Sequence, residues 1–256
     1  MAYAGGKSGS GVYQKIISEI PSHDCYIETH LGGGGIVSRK RSALRNIGID
    51  INSDVISGWS LKAEKLGLQL HCGDAVDFLA SFSFGGGEFI YVDPPYVMST
   101  RRGGKIYKNE YTDQDHRRLL GFLVGLPSKI MVSGYRSDLY AEYLGSWRSV
   151  DFQAMTRRGL ATETIWMNYA ATDVLHDYRY IGGGFRERER LKRKRERWLN
   201  RLRSMGATER NMILQCLYAL DLESSDTAVL DRAAVSADIA VLDRAAVSAD
   251  MAMLAN

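Results

Sequence analysis

A chain of 256 residues, 45% hydrophobic and 25% charged, is long enough to bury one full core and carry an appendage. No stretch approaches eighteen uninterrupted apolar residues, so a membrane span is not expected, and the start Met1-Ala2-Tyr3-Ala4-Gly5-Gly6-Lys7 shows no signal peptide. The net charge of +3 is unevenly placed: residues 186–203 hold ten Lys or Arg against three Glu, leaving the rest of the chain net negative.

Strand-like and helix-like segments alternate from residue 8 to 170. Residues 12–20 read as a helix after a Gly-rich start, with Ile16, Ile17 and Ile20 on one face. Residues 25–28 read as a short strand, followed by the glycine run 32–35 and a helix running to Leu44. A second strand at 47–51 precedes a helix over 53–66, capped by Asn52 or Ser53. Residues 68–71 form a third strand, and Asp74 opens the next helix. Phe89-Ile90-Tyr91-Val92 is an apolar fourth strand. It must stop at Asp93-Pro94-Pro95-Tyr96, because Pro94 lacks an N–H and Pro95 bars Pro94 from helical geometry. A helix at 113–126, a fifth strand at 130–133 and a helix at 137–144 follow. Residues 147–152 and 164–169 are strands with little helix between them, hence an antiparallel pair. Alternation ending in such a hairpin predicts an α/β fold with a doubly wound sheet.

Composition changes after Ile181-Gly182-Gly183-Gly184. The body is assigned to residues 1–180, a basic helix or helix pair to 185–220, and a repetitive tail to 221–256. In the tail, the unit 228–239 recurs at 240–251 with one difference. Twelve residues is not a whole number of turns, so an apolar stripe rotates by roughly 120° per unit and keeps no continuous docking face. A loosely attached, dispensable helical tail is expected.

Four consecutive strand ends carry acids: Glu28, Asp50, Asp74 and Asp93. In open α/β sheets ligands bind at this edge. Glu28 leads through His30 into Gly32-Gly33-Gly34, which lets backbone approach a nucleoside ligand closely. Asp50 stands at the spacing where an acid meets ribose hydroxyls, and Asp74 where one accepts from an adenine amine. At the fourth strand, Asp93 and the Pro94 carbonyl suit the hydrogens of an exocyclic amine, and Tyr96 can stack on its ring. Cysteine-dependent C5 chemistry is excluded, since none of Cys25, Cys72 and Cys216 follows a proline. Those cysteines form no Cys-x-x-Cys pair, and five dispersed histidines lack ligand spacing. Neither a metal nor a disulfide framework is expected, and the compartment is expected to be reducing.

These residues resemble the D12 class of N6-adenine DNA methyltransferases, the group containing the Dam enzymes. Asp93-Pro94-Pro95-Tyr96 is similar to the class's catalytic motif, and Tyr3-Ala4-Gly5-Gly6-Lys7 to its N-terminal cofactor motif. Glu28 to Gly34 corresponds to its glycine motif, while Val132-Ser133-Gly134-Tyr135 and residues 162–169 resemble later strands. The resemblance implies a Rossmann-like methyltransferase sheet and S-adenosyl-L-methionine as cofactor. Tyr3, Gly6, Lys7, Glu28, His30, Gly32, Gly33, Gly34, Asp50, Asp74 and Asp93 would bind that cofactor. The catalytic residues would be Asp93, Pro94, Pro95 and Tyr96. It further implies duplex DNA as partner, a monomer, and the cytoplasm of a prokaryotic or phage-infected cell. The arginine-rich segment resembles the C-terminal extension of small phage-type members.

Two departures stand out. Thr29-His30 replaces the class's usual Pro-Phe, so His30 is expected to meet the methionine portion of the cofactor or to be a tolerated substitution. No long recognition domain separates Asp50 from Asp93. Candidate binding surfaces are the loop 97–112, through Arg101, Arg102, Lys105, Tyr107, Lys108 and Tyr111, and the basic segment 186–203, which otherwise reads as a solvated charged helix. The alternatives are an RNA adenine methyltransferase and a DNA-binding pseudoenzyme.

Overall fold

The computed structural model describes residues 6–101, 104, 106–156 and 159–223, the side chains of 221–223 excepted. Tyr3, Arg102, Lys105 and the repeat unit at 228–251 lie outside the described residues. The chain divides into two compact units, Met1–Leu191 and Lys192–Asn256.

Seven strands form one sheet in the order β3-β2-β1-β4-β5-β7-β6. They are β1 (Cys25–Glu28), β2 (Arg45–Asp50), β3 (Leu68–Cys72), β4 (Glu88–Val92), β5 (Lys129–Gly134), β6 (Arg148–Thr156) and β7 (Gly159–Met167). The first five are parallel, and β7 runs antiparallel to both β5 and β6. The doubly wound sheet with a terminal antiparallel hairpin is therefore the one expected. Helices α1 (Val12–Ile17), α2 (Ser53–Leu66), α3 (Ala75–Ser81), α4 (Asp113–Leu123) and α5 (Asp138–Leu144) belong to the same unit. Beyond the sheet come α6 (Phe185–Ser204) and α7 (Ala207–Glu223), a helix pair, and no residue of α6 is buried.

The central strands are largely apolar because both faces are covered, their carboxylates Glu28 and Glu88 standing at strand ends. Every residue of β1 and β4 is buried. Their alternation supplies two cores: Ile27, Ile90 and Val92 join one, while Tyr26, Phe89 and Tyr91 join the other. Each fully buried aliphatic side chain stabilises the unit by about 1.5–3 kcal/mol.

One expected element does not form. Residues 36–40 make isolated turns in place of a helix to Leu44, with Ser38 N–H bonded to the Gly34 carbonyl and Lys40 N–H to the Ile36 carbonyl. The Arg41 N–H is instead taken by the Asp177 side chain at 3.0 Å, and the Ala43 N–H by the Asn46 side chain at 3.2 Å. Tertiary polar contacts outcompete the helical ladder here. The first helix also ends early, at Ile17, although Ile16, Ile17 and Ile20 are all fully buried as expected.

Strand order reverses between β1 and β4, which makes their C-terminal ends the topological switch point where open α/β sheets bind ligands. Register then sets the level of each acid. Glu28 pairs with Tyr91, Asp50 with Cys72 and Val92 with Val132. One step further, Asp93 lies level with Ser133 of β5.

Candidate active site

The glycine loop is fixed by two close approaches. Gly34 has φ +55°, and a Cβ there would lie 2.1 Å from the Trp59 ring of α2. Trp59 Nε1–H also donates to the Gly32 carbonyl at 2.9 Å. A Cβ on Gly35 would come within 2.9 Å of the Lys7 backbone. Glycine is therefore required for the loop to pass between α2 and the N-terminal segment, and the run is more than a flexible turn.

Around this loop the acids take different environments. Glu28 accepts from the Tyr26 hydroxyl at 2.9 Å as well as from Val37 N–H, and burial pushes its carboxyl up to about 8. Asp50 accepts from Gly32 N–H and Asn52 N–H, both at 2.9 Å, one on each oxygen. Burial raises its pKa while those two amides oppose the rise. Each oxygen keeps a second acceptor direction. Asp74 caps α3, accepting from Val76 and Asp77 N–H, and pairs with Arg118 at 3.0 Å. His30 bridges Thr29 Oγ1 at 2.8 Å and the Tyr111 hydroxyl at 2.9 Å, and burial pushes its imidazole down to about 3. A neutral ring suits that bridge, one nitrogen donating and the other accepting.

A charged cluster closes the other side of the switch point. Lys7 Nζ donates to both Asp93 oxygens, at 2.7 and 2.8 Å, and lies 3.7 Å from Glu163 Oε2 of β7. It also sits 4.8 Å from the Tyr96 ring centroid. Tyr96 donates its hydroxyl to Glu163 Oε2 at 2.9 Å, and Tyr135 packs edge-on against its ring. Ser133 donates to Asp93 Oδ1 at 2.7 Å. Since Ser133 has a single hydrogen, the 3.1 Å contact with the Tyr91 hydroxyl is donated by the tyrosine. Lys7 is only 5% exposed, and burial alone would lower its pKa. Asp93 and Glu163 outweigh that and raise it, so the ammonium stays charged. Asp93 is raised by burial against the pull of Lys7 and Ser133.

The loop 97–112 borders the same site. The Arg101 side chain is only 7% exposed, its guanidinium 2.8 Å from Glu110 and its Nε–H donating to the Tyr96 carbonyl at 2.6 Å. Glu110 in turn accepts from Ile106 and Tyr107 N–H. Lys108 meets Asp54 of α2 at 2.8 Å in an exposed ion pair. Of the expected nucleic-acid contacts, Arg101 is thus committed to the loop's interior, while Tyr107, Lys108 and Tyr111 line the ligand cleft.

That cleft, of about 770 Å³ and open to solvent, is bordered by Gly6, Lys7, Glu28, His30, Gly32, Gly33 and Gly34, and by Asp50, Asp74, Asp93 and Pro95. The structure therefore brings together the described residues that the sequence singles out for a cofactor. Pro94 is buried beside them, and Tyr96 adjoins through Lys7 and Glu163. Sequence reasoning missed Ser133, Glu163 and Tyr91 as members of the site. Glu163 had a signal: a lone carboxylate beside the apolar Ile165-Trp166-Met167 end of a strand. Among the described residues, no helix is long and apolar enough to cross a membrane, and no group of three or more His, Cys, Asp or Glu is placed to hold a metal ion.

No protein-family model and no curated protein matches the chain. Solved structures resemble it distantly. A precorrin-8w decarboxylase from Methanobacterium thermoautotrophicum is 14% identical, with a TM-score of 0.42, over 65% of this chain and 94% of that one. A dimethyladenosine transferase from Plasmodium falciparum is 16% identical, with a TM-score of 0.42, over 63% of each chain. An O-methyltransferase from Bacillus cereus, in complex with S-adenosylhomocysteine, is 11% identical with a TM-score of 0.42, over 60% of this chain and 78% of that one. Likeness at this distance concerns the arrangement of strands and helices and carries nothing about chemistry.

Proposed function

We propose that this chain transfers the methyl group of S-adenosylmethionine to N6 of an adenine flipped out of DNA. The observation that carries the proposal is the placement of Asp93-Pro94-Pro95-Tyr96 beyond the end of β4. There the Asp93 carboxylate, fixed by Ser133 and Lys7, borders the same cleft as the glycine loop.

The cleft's residues fit the cofactor's chemistry. Asp50 has acceptor capacity for ribose hydroxyls, Asp74 for an adenine amine, and the surplus of carboxylates suits a sulfonium cation. When bound, that cation supplies an electrophilic methyl. The chain's own residues do the rest. Asp93 and the Pro94 carbonyl accept the two N6 hydrogens and orient the nitrogen lone pair toward the methyl carbon. Asp93 would take up one N6 proton as the nitrogen accepts the methyl group. Tyr96, anchored through Glu163, offers the ring against which the flipped base stacks. The ten cations of residues 186–203 suit a phosphate backbone.

Replacing Asp93 with Ala should lower methyl transfer by roughly 10³-fold or more. Circular dichroism and calorimetric binding of S-adenosylmethionine should stay close to wild type. Retained transfer would refute the mechanism. Wild-type protein that folds but binds no S-adenosylmethionine would favour a DNA-binding pseudoenzyme.

A further inference from the structure

In this structure Lys7 already bonds both oxygens of Asp93, one of which a substrate amine would need. Its ammonium is buried, so it cannot simply withdraw into water. One carboxylate stands within reach of a short move: Glu163, with Oε2 at 3.7 Å. The Tyr96 hydroxyl fixes that oxygen at 2.9 Å, and Glu163 is itself only 7% exposed.

We propose that Glu163 is a positioning residue that takes up the Lys7 ammonium when an exocyclic amine displaces it from Asp93, a role that rests on the function proposed above. Lys7 then stays charged and paired throughout, shifting between two carboxylates about a fixed Tyr96. One cation between two anions also leaves the cluster net negative, beside a nitrogen that becomes positive as it attacks. Either carboxylate alone can hold the buried ammonium, and removing both takes away the two acids within 4 Å that balance it.

The test is a set of full-length variants: Asp93→Asn, Glu163→Gln, their double, and the triple that adds Lys7→Met. In thermal unfolding each single change should cost about 5 °C or less, because the other carboxylate keeps the ammonium. The double should lose at least about 10 °C beyond the sum, and the triple should recover most of it. Additive losses, or a triple no more stable than the double, would overturn the proposal. Should the double fail to fold, a folded triple supports it and an unfolded triple sinks it.

Kinetics supply a readout that a merely structural role would not move. Glutamine still offers Tyr96 an oxygen, so Glu163→Gln should lower kcat about 10-fold or more, with the KM for S-adenosylmethionine within about 2-fold. An unchanged kcat contradicts the proposal. Wild-type protein that methylates no adenine, together with a non-additive stability cycle, would refute the proposed function while the sharing of Lys7 stands.

Discussion

Two buried polar clusters flank β4, and burial has opposite consequences in them. Beyond its C-terminal end, Lys7 keeps its charge because Asp93 and Glu163 lie within 2.7 and 3.7 Å. At its start, His23 stacks on Phe89 and lies against His176, with ring centroids 3.8 Å apart. No carboxylate bonds either imidazole among the contacts of the described residues. Each ring uses one nitrogen as donor to a backbone carbonyl: His23 Nδ1–H to Pro21 at 2.8 Å and His176 Nε2–H to Arg41 at 3.0 Å. Burial, helped by the neighbouring Lys40, pushes His23 well below the usual imidazole range and His176 down to about 4. Asp177, the nearest acid to His176, is committed to Arg179 and the Arg41 N–H. The difference lies in counter-charge. A buried base keeps its proton only where a carboxylate is placed to balance it. The site end of the sheet has such carboxylates for its base, while the two imidazoles of the opposite end have none and stay neutral.

The contrast can be broken most severely at the charged end. Replacing Lys7 with Met leaves Asp93 and Glu163 facing each other without a cation and should cost about 3–5 kcal/mol in denaturant unfolding at pH 8. The loss should shrink at pH 5, since burial already raises Asp93 toward uptake of a proton; an equal loss at both values would remove the electrostatic explanation. At the neutral end, the folded-state pKa values of His23 and His176 lie below the unfolded value of about 6.5. Their contribution is therefore complete above about pH 6.5 and is lost as pH falls toward 4. The change His23→Phe should flatten that acid limb while costing about 1 kcal/mol at pH 7, through the hydrogen bond lost to Pro21. An unaltered limb would place the acid sensitivity elsewhere. The smallest effect is expected at the exposed Lys108–Asp54 pair, where Lys108→Ala should change stability by no more than about 0.5 kcal/mol.

Most of the sheet was legible because its strands are apolar runs ended by residues that cannot continue them. Phe89 to Val92 followed by Asp93-Pro94-Pro95 fixes both the strand and its stop. The Asn52 cap, the Asp74 cap and the antiparallel hairpin are likewise local signals, and each is present. The helix to Leu44 was illegible because side chains outside it claim its backbone: distant Asp177 takes the Arg41 N–H, and Asn46 takes the Ala43 N–H. At the site, strand-end acids could be counted from sequence, and Glu28, Asp50, Asp74 and Asp93 all border the cleft. Their partners could not. Lys7 and Glu163 reach Asp93 from positions far along the chain, through a crossover and an antiparallel strand that only register defines. At Arg101 a cation in a loop suggests phosphate contact, while its partners in this structure are Glu110 and the Tyr96 carbonyl.

The central claim is tested most directly by incubating the protein with methyl-labelled S-adenosylmethionine and mixed-sequence duplex DNA, then identifying the labelled nucleoside by mass spectrometry. N6-methyladenine in DNA is the predicted result. Label confined to RNA in a parallel reaction would keep the chemistry and change the substrate, and no label in either nucleic acid would contradict the account.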